Sequence, residues 1–188
     1  MLTRQPFWFL RHGQTDWNRA GKCQGRCDVP LNTQGEAEAQ ATAPRLRHLG
    51  INAICCSPLT RARRTADIIG QALQVPVAEV AGLEEMDVGP YEGVPDYSWV
   101  TAWREDGPVA GIEPFPAMRQ RVGKAANRAL GTASHVLIVA HGGVFWALQQ
   151  LCREPFTPLA HCRPAYPSPA GETAWRIEML TFGDAVET

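Results

Sequence analysis

The stretch HVLIVAHGG, residues 135–143, places five consecutive apolar residues directly before a histidine and two glycines. An uninterrupted apolar run of this length is typical of a strand buried on both faces of a parallel sheet. The polar end of the run is informative too, because ligands bind at the carboxyl ends of strands in open parallel sheets. The stretch therefore predicts a parallel α/β fold with His141 at its ligand-binding edge.

Four further segments have the length and composition of strands, and helical patterns separate most of them. Segment 174–180 alternates polar and apolar residues, which is typical of an edge strand. Strands that alternate with helices indicate βαβ units. We therefore predict a three-layer α/β/α sandwich whose mainly parallel sheet has an antiparallel edge strand. The predicted strands are residues 7–10, 51–57, 75–80, 135–143 and 174–180, and the predicted helices are residues 32–50, 57–73, 116–130 and 143–152.

Local signals predict where two of these helices begin. Thr33, with Glu36 three residues later, has the pattern of an N-cap in a capping box. Ser57 followed by Pro58 predicts an N-cap and the first helical residue of the next helix.

Two long stretches have no regular pattern. Residues 86–115 are rich in glycine, proline and aromatic residues, and residues 153–173 contain five prolines. Long loops inside a compact domain are more often functional covers than accidents. We predict a single domain over residues 1–188, with a lid over about 86–115 and a proline-rich loop over about 153–173. Aromatic side chains of the lid could stack on a substrate ring or pack the lid onto the domain. They are Tyr97, Trp99, Trp103 and Phe115.

Composition restricts the classes of partner. A formal net charge of −1 gives no general field that would recruit nucleic acid or an anionic membrane. The apolar runs fall far short of the ~20 residues of a membrane span, and residues 1–13 lack the apolar centre of a signal peptide. We expect a cytoplasmic protein, monomeric or homodimeric, without nucleic-acid or membrane partners.

The six cysteines have neither the spacing of a metal site nor that of a disulfide framework. Three residues separate Cys23 from Cys27, and no second close pair of cysteine or histidine completes a four-ligand set. Cys55 and Cys56 are adjacent in an apolar strand, where cysteine behaves as a small hydrophobe. We predict free thiols, no metal and no cofactor.

Arginine and histidine side chains are predicted to meet at one edge of the sheet. The first strand runs into Arg11 and His12, and the strand at 135–143 runs into His141. A helix start brings Arg61 to the same edge, and its guanidinium fork fits phosphate oxygens. Arginines beside a histidine lower its pKa by like-charge repulsion, which keeps His12 neutral and nucleophilic. These residues predict a site for a tetrahedral anion such as a phosphoryl group.

A purely structural interpretation competes with this one. Each histidine could merely end its strand and bind a backbone carbonyl. The run RARR, residues 61–64, could likewise be a solvated helix face. We retain that interpretation for Arg63 and leave Arg64 open.

Five blocks of sequence occur in order along the chain: LRHGQTDWN (10–18), CQGRCDVPLNTQGEAEA (23–39), CSPLTRARRTA (56–66), LEEMDVGPYEG (83–93) and VAHGG (139–143). Together they resemble the histidine phosphatase superfamily, also called phosphoglycerate mutase-like proteins. The resemblance extends from residue 7 to about residue 150. It implies a phosphoglycerate mutase-like fold and a metal-independent phosphoric monoester hydrolase.

The resemblance also implies roles for single residues. His12 matches the nucleophile that becomes phosphorylated. Glu85 matches the general acid that protonates the leaving oxygen, with its neighbour Glu84 ranked second. The remaining matches to the phosphate pocket and to substrate contacts are Arg11, Arg61, His141, Asn18, Gln24 and the backbone near Gly25.

Three functions are compatible with these residues. Transfer of the phosphoryl group to water is a phosphatase reaction, and transfer to another hydroxyl is a mutase reaction. The stretch between Gly93 and the next helical pattern is short for the lid of a mutase, which favours a phosphatase for a small-molecule phosphomonoester. A phosphoglycerate mutase is the first alternative, and a non-catalytic phosphoryl-binding protein on the same fold is the second.

Overall fold

Six strands form one sheet in the computed structural model, which describes residues 1–180; residues 181–188 of the predicted domain lie outside the described part. The strands are β1 (Trp8–Arg11), β2 (Ala53–Cys56), β3 (Val77–Glu79), β4 (Val136–Ala140), β5 (Pro164–Ala170) and β6 (Ala174–Met179). Their order is β3–β2–β4–β1–β5–β6. Strands β1 to β4 pair in parallel, whereas β5 runs antiparallel to β1 and to β6.

Helices cover both faces of this sheet. They are α1 (Asp16–Arg19), α2 (Thr33–Thr42), α3 (Thr60–Leu73), α4 (Val100–Arg104), α5 (Phe115–Leu130) and α6 (Gly142–Cys152), with 3-10 helices at Ala43–Leu49 and Gly89–Tyr91. Leu10 belongs to a buried core with Ile69 of α3, and Phe9 to a second core with Phe145 of α6. Successive strand residues point to opposite faces, which explains the division. The predicted three-layer α/β/α sandwich with a mainly parallel sheet is confirmed. No helix within residues 1–180 has both the length and the hydropathy to cross a membrane.

Strand β4 lies between β1 and β2, and all five of its residues are buried, as the apolar run predicts. Arg11, at the end of β1, is in register with Ala140, at the end of β4. The next residue, His12, donates its backbone N–H to the Ala140 carbonyl at 3.0 Å. The sheet therefore brings the two histidine-bearing strand ends side by side.

The prediction of a proline-rich loop over 153–173 is wrong for its second part, which forms β5. Pro167 accepts a bond from the Phe7 N–H through its carbonyl at 3.1 Å, so this residue faces β1, and Pro169 faces the same way. Because β1 begins only at Trp8, the pairing beside these prolines is reduced to the bond from the Phe7 N–H, which uses the carbonyl of Pro167 and needs no proline N–H. The prolines are therefore tolerated inside a strand.

The prediction of Thr33 as the N-cap of α2 is wrong by one residue. Asn32 has the extended backbone of an N-cap, and its side-chain oxygen accepts from the Gly35 N–H at 2.9 Å. Glu36, expected to complete a capping box, instead accepts from Arg64 at 2.7 Å. An asparagine one position earlier competes successfully for the cap because its short side chain reaches the same N–H groups.

The aromatic residues of the predicted lid, residues 86–115, divide into two pairs. Trp103 and Phe115 are each 1% exposed, and their ring centroids lie 4.5 Å apart. These two rings pack the segment onto the domain. Tyr97 and Trp99 instead line a cavity at the carboxyl edge of the sheet.

Candidate active site

His12 lies in an open cavity at this edge of the sheet. Its Nδ1 lies 2.7 Å from the Gly13 carbonyl oxygen, an acceptor, so Nδ1 carries the ring proton and Nε2 keeps a free lone pair. Burial, and then the charges of Arg61 and Arg11, hold the pKa of His12 well below its ordinary value. His12 is thus a neutral imidazole. The predicted site residues that line the cavity are Arg11, His12, Asn18, Gln24, Gly25, Arg61 and Glu85.

His141 lies behind this lining, fully buried, with its ring centroid 5.1 Å from that of His12. Its Nε2 lies 2.7 Å from the Ser57 hydroxyl, which also accepts from the Leu59 N–H at 3.3 Å. The hydroxyl can therefore donate its own proton to Nε2, which leaves Nδ1 as the N–H donor of His141. Burial is the main cause that lowers the pKa of His141 well below its ordinary value.

The prediction of Ser57 as the N-cap of α3 is wrong. The helix begins at Thr60, whose N–H and hydroxyl both donate to the Asp28 carboxylate, at 2.8 and 2.5 Å. This carboxylate, distant in sequence, satisfies the helix start that Ser57 was expected to satisfy. The serine hydroxyl is consequently available to orient His141.

Arg11 and Arg61 supply the positive charge of the site. Arg61 is 0% exposed and donates to the carbonyl oxygens of Gly25 and Cys27 at 2.8 and 2.9 Å. Arg11 donates to the Leu159 carbonyl at 3.0 Å. Carbonyl groups orient a guanidinium without neutralising its charge. Within residues 1–180, no group of three or more histidine, cysteine or acidic side chains could hold a metal ion.

Four buried side-chain nitrogens of the described residues have no hydrogen-bond partner, and all four lie in or beside this cluster. They are Arg11 Nε, Arg61 Nε, His141 Nδ1 and His161 Nε2. Buried polar groups are nearly always satisfied in native proteins, and each exception costs about 1–3 kcal/mol. Four exceptions in one place indicate donors arranged for a ligand with several acceptor oxygens.

His161 is a neighbour of His12 that sequence reasoning missed. The two ring centroids lie 5.8 Å apart, with 32° between the ring planes. His161 falls in the first part of the segment predicted as a proline-rich loop, where no strand end, helix start or paired glycine marks it. The one signal that could have found it is a lone histidine in a long loop of a compact domain.

Glu85 faces the cluster from the loop before the predicted lid. Its Oε2 accepts from the Gly143 N–H at 3.0 Å, and its Oε1 accepts from the Met86 N–H at 2.9 Å. A Cβ at position 143 would lie 2.4 Å from Oε1, so only glycine permits this approach at the start of α6. Glu84, ranked second from the sequence, turns to the Gly82 N–H at 2.6 Å instead.

Arg121 of α5 holds the loop that carries Glu85, and sequence reasoning missed it. Its guanidinium donates to the carbonyl oxygens of Gly82, Glu84 and Glu85 at 3.0, 2.8 and 3.0 Å. It also binds both carboxylate oxygens of Glu113, at 2.6 and 2.7 Å. A bidentate ion pair combined with three carbonyl contacts fixes the backbone of this loop. It thereby helps to position the Glu85 side chain.

Asn18 and Gln24 are anchored by one residue, Thr15. The Thr15 hydroxyl lies 3.1 Å from the Asn18 side-chain oxygen and 2.9 Å from that of Gln24. With both amide oxygens turned to Thr15, the NH₂ groups are the ends available to a ligand in the cavity. Gly25, at φ +52°, gives its carbonyl to Arg61, so its N–H is the group that could meet an anion.

A model of the histidine phosphatase superfamily (branch 1) matches residues 7–163. The chain belongs to the histidine phosphatase superfamily. Every residue of the cluster described above lies inside the matched range, His161 included.

Relatives of this histidine phosphatase include both phosphatases and mutases by name. "Uncharacterized phosphatase PhoE" of Bacillus subtilis is 38% identical over 141 residues, which are 74% of this chain and 72% of the relative. "Probable phosphoglycerate mutase GpmB" of Salmonella paratyphi B is 35% identical over 147 residues, 72% of this chain and 68% of the relative. A solved mycobacterial glucosyl-3-phosphoglycerate phosphatase, complexed with VO3, superimposes with a TM-score of 0.81 at 25% identity, covering 93% of this chain and 97% of that one.

The other arginines of the RARR run lie outside the site. Arg63 pairs with Asp67 at 2.8 Å and with Glu79 at 3.0 Å, and Arg64 pairs with Glu36 at 2.7 Å. These side chains are 38–50% exposed, so the pairs contribute little to stability. The solvated-face interpretation holds for Arg63 and extends to Arg64.

Acidification is expected to destabilise this histidine phosphatase through its buried histidines. Burial and nearby arginines hold the pKa of His12 and His141 well below 6.5, the ordinary value, and lower that of His161 to about 4. As pH falls below about 6.5 the unfolded chain binds protons that the folded chain does not. The free energy of unfolding therefore decreases by up to about 1.4 kcal/mol per pH unit for each such histidine.

Thermal unfolding measured between about pH 7.5 and about pH 5 tests this expectation. A His12→Phe variant, which lacks one of the titrating rings, should lose melting temperature less steeply than the wild type. A variant of the exposed His48, His48→Phe, should follow the wild type. Equal slopes in all three proteins would contradict the assignment of His12 as a buried neutral base.

Proposed function

We propose that the protein is a metal-independent phosphomonoester hydrolase that acts on a small phosphorylated metabolite through a phosphohistidine at His12. One observation carries the proposal: a neutral imidazole with a free Nε2 lone pair lies beside the buried Arg61, the half-buried Arg11 and a second neutral histidine. A protonated histidine has no lone pair with which to attack phosphorus, whereas this one has. The unpartnered nitrogens around it are the donors that a phosphoryl group would satisfy.

In the first step, the Nε2 lone pair of His12 forms a bond to phosphorus while the bond from phosphorus to the leaving oxygen breaks. Arg11, Arg61 and the Nδ1–H of His141 donate to the non-bridging oxygens, where negative charge accumulates. Glu85 gives its proton to the leaving oxygen, so the product departs as a neutral alcohol.

In the second step, water attacks the phosphohistidine and the P–N bond breaks, returning its electron pair to Nε2. The Glu85 carboxylate takes the proton of the attacking water, so it regains the proton that it gave up in the first step. Between the two steps, the Gly13 carbonyl accepts from Nδ1–H and stabilises the positive charge of the phosphorylated ring.

Glu85 is arranged as an acceptor in the free site, where two backbone N–H groups bind its carboxyl. The Glu85 carboxylate interacts electrostatically with the guanidinium groups of Arg11 and Arg61. The acid step needs a proton on this carboxyl. Binding of a phosphate dianion beside it supplies the negative charge that favours uptake of that proton.

The outer cavity favours hydrolysis over a mutase reaction. A phosphoglycerate carries a carboxylate, and a bisphosphate primer carries a second phosphate, so both need cationic partners beyond the phosphate pocket. Among the described lining residues outside that pocket, Lys22 is the single lysine or arginine. The rest of the outer lining is largely apolar and includes Tyr97, Trp99, Val100, Trp146 and Leu159. A phosphoglycerate mutase is the alternative, because the same pocket can return the phosphoryl group to a hydroxyl.

Release of phosphate from p-nitrophenyl phosphate, with EDTA present, tests the proposal. We expect turnover that EDTA leaves unchanged, and no comparable conversion of 3-phosphoglycerate to 2-phosphoglycerate with a bisphosphate primer. Isomerisation without phosphate release would establish the mutase instead. Absence of both reactions, together with tight binding of phosphate, would favour the second alternative, a non-catalytic phosphoryl-binding protein.

A further inference from the structure

Backbone contacts on either side of His161 hold it against the catalytic cluster. Arg11 donates to the Leu159 carbonyl at 3.0 Å, and the Cys162 N–H donates to the Arg11 carbonyl at 2.9 Å. The Thr42 hydroxyl donates to the Cys162 carbonyl at 3.1 Å. Because residues two before and one after it are tied to the domain, the fold itself sets the position of the His161 backbone.

The ring of His161 packs beside that of His12 but leaves one nitrogen unused. The centroids lie 5.8 Å apart, within van der Waals reach of tilted rings. His161 Nε2 is buried and, within the part of the chain that the structure describes, has no hydrogen-bond partner. Packing alone would be served as well by an apolar ring, which would leave no buried nitrogen unsatisfied.

The other three unpartnered nitrogens belong to the proposed phosphate pocket, on Arg11, Arg61 and His141. A phosphoryl group has three non-bridging oxygens with several lone pairs each, so it can accept from a further donor. Burial, and then the charge of Arg11, lower the pKa of His161 to about 4, so the ring is neutral near pH 7. A neutral imidazole offers an N–H without adding charge beside His12.

We propose that His161 is a further phosphate-binding residue, whose Nε2–H donates a hydrogen bond to the phosphoryl group held by Arg11 and Arg61. The proposal rests on the proposed function, because it requires a phosphoryl group at His12. The competing explanation is that His161 only packs against His12 and keeps Nε2 unpaired throughout the reaction.

Three substitutions at this position separate the two explanations. His161→Phe keeps a ring beside His12 and removes both nitrogens. His161→Gln places an amide NH₂ near the position of Nε2, and His161→Asn places one near Nδ1 instead. The exposed His135 offers a matched control, His135→Phe.

Calorimetric titration with inorganic phosphate, which needs no turnover, gives the decisive comparison. We expect the Phe and Asn variants to bind phosphate about 10- to 100-fold more weakly than the wild type, since a hydrogen bond to a charged group is lost. The Gln variant and the His135→Phe control should stay within about threefold of the wild type, since the donor at the ε position remains. The melting temperature of the Phe variant should be equal or higher, because an unsatisfied buried nitrogen is gone.

Phosphate binding by the Phe variant at the wild-type affinity would overturn the proposal. So would equal losses in the Phe, Asn and Gln variants, which indicate packing alone. If the Phe variant does not fold, the phosphate affinities of the Asn and Gln variants are compared instead. Equal affinities of these two variants would overturn the proposal, and weaker binding by the Asn variant alone would support it. A wild-type protein that binds no phosphate would contradict the proposed function, whereas wild-type binding with unchanged variants contradicts the role of His161 alone.

Discussion

The His12→Ala variant is expected to lose phosphomonoester hydrolysis by roughly 10⁴- to 10⁶-fold in kcat, the loss typical of removing a nucleophile. The expectation follows from the free lone pair on His12 Nε2. His141 does not substitute for it, because Ser57 engages its Nε2 and the ring is fully buried behind the cavity lining. Steady-state kinetics with p-nitrophenyl phosphate measures the loss.

A second variant separates chemistry from folding. His12→Asn keeps an NH₂ donor near the position of Nδ1, where the Gly13 carbonyl accepts, and removes only the nucleophilic nitrogen. It should retain a cooperative melting transition and be as inactive as the alanine variant. His48→Asn, at an exposed site, should retain wild-type turnover. Substantial activity in the Asn variant of His12 would show that the phosphoryl group passes to water by another route.

The Glu85→Gln variant is expected to show the second-largest effect, and the size should depend on the leaving group. With an alkyl phosphate, whose alkoxide needs a proton, kcat should fall by roughly 10²- to 10⁴-fold. With p-nitrophenyl phosphate the leaving oxygen is stable as an anion, so the first step should survive. The second step still needs Glu85 as a base, and the phosphorylated enzyme should therefore accumulate.

Glu84→Gln is the matched control, since the two residues are adjacent and only Glu85 lines the cavity. Glu84 binds the Gly82 N–H, and that contact survives in an amide oxygen. Its turnover should stay close to the wild type with both substrates. If Glu84→Gln lost activity and Glu85→Gln kept it, Glu84 would be the general acid. The loop would then adopt another arrangement during turnover.

Local sequence could predict the site residues that lie at strand ends and at one helix start. His12 and His141 follow apolar runs, and such runs in parallel sheets end at a common edge. Arg61 was predictable because a guanidinium is disfavoured beside the positive end of a helix dipole unless an anion binds there. The sheet and the three layers follow from the same alternation of strands and helices.

The supporting contacts were not predictable because they join residues far apart in sequence. Ser57 has the local pattern of a helix cap, yet Asp28 satisfies that helix start and Ser57 turns to His141. Arg121 holds the Glu85 loop across 36 residues of chain. Neither arrangement leaves a periodic or spacing signal, since each depends on how the layers pack.

Strand β5 and His161 escaped detection for a related reason. Prolines normally argue against a strand, and here Pro167 and Pro169 lie where the pairing with β1 is ending and the one remaining bond uses a proline carbonyl. That depends on where β1 begins, which is not visible from residues 153–173 alone. His161 lies in the same segment. Because that segment was interpreted as a loop, no role was predicted for its histidine.

Direct detection of the phosphorylated residue tests the central claim. Rapid mixing with p-nitrophenyl phosphate, an alkaline quench that preserves phosphohistidine, and mass analysis of the peptides should place one phosphoryl group on the peptide that contains His12. The signal should be strongest in Glu85→Gln and absent from His12→Asn. Two results would contradict a phosphohistidine at His12. One is rapid turnover by the wild type with no phosphoryl group on His12 in either the wild type or Glu85→Gln, and the other is a phosphoryl group on another residue.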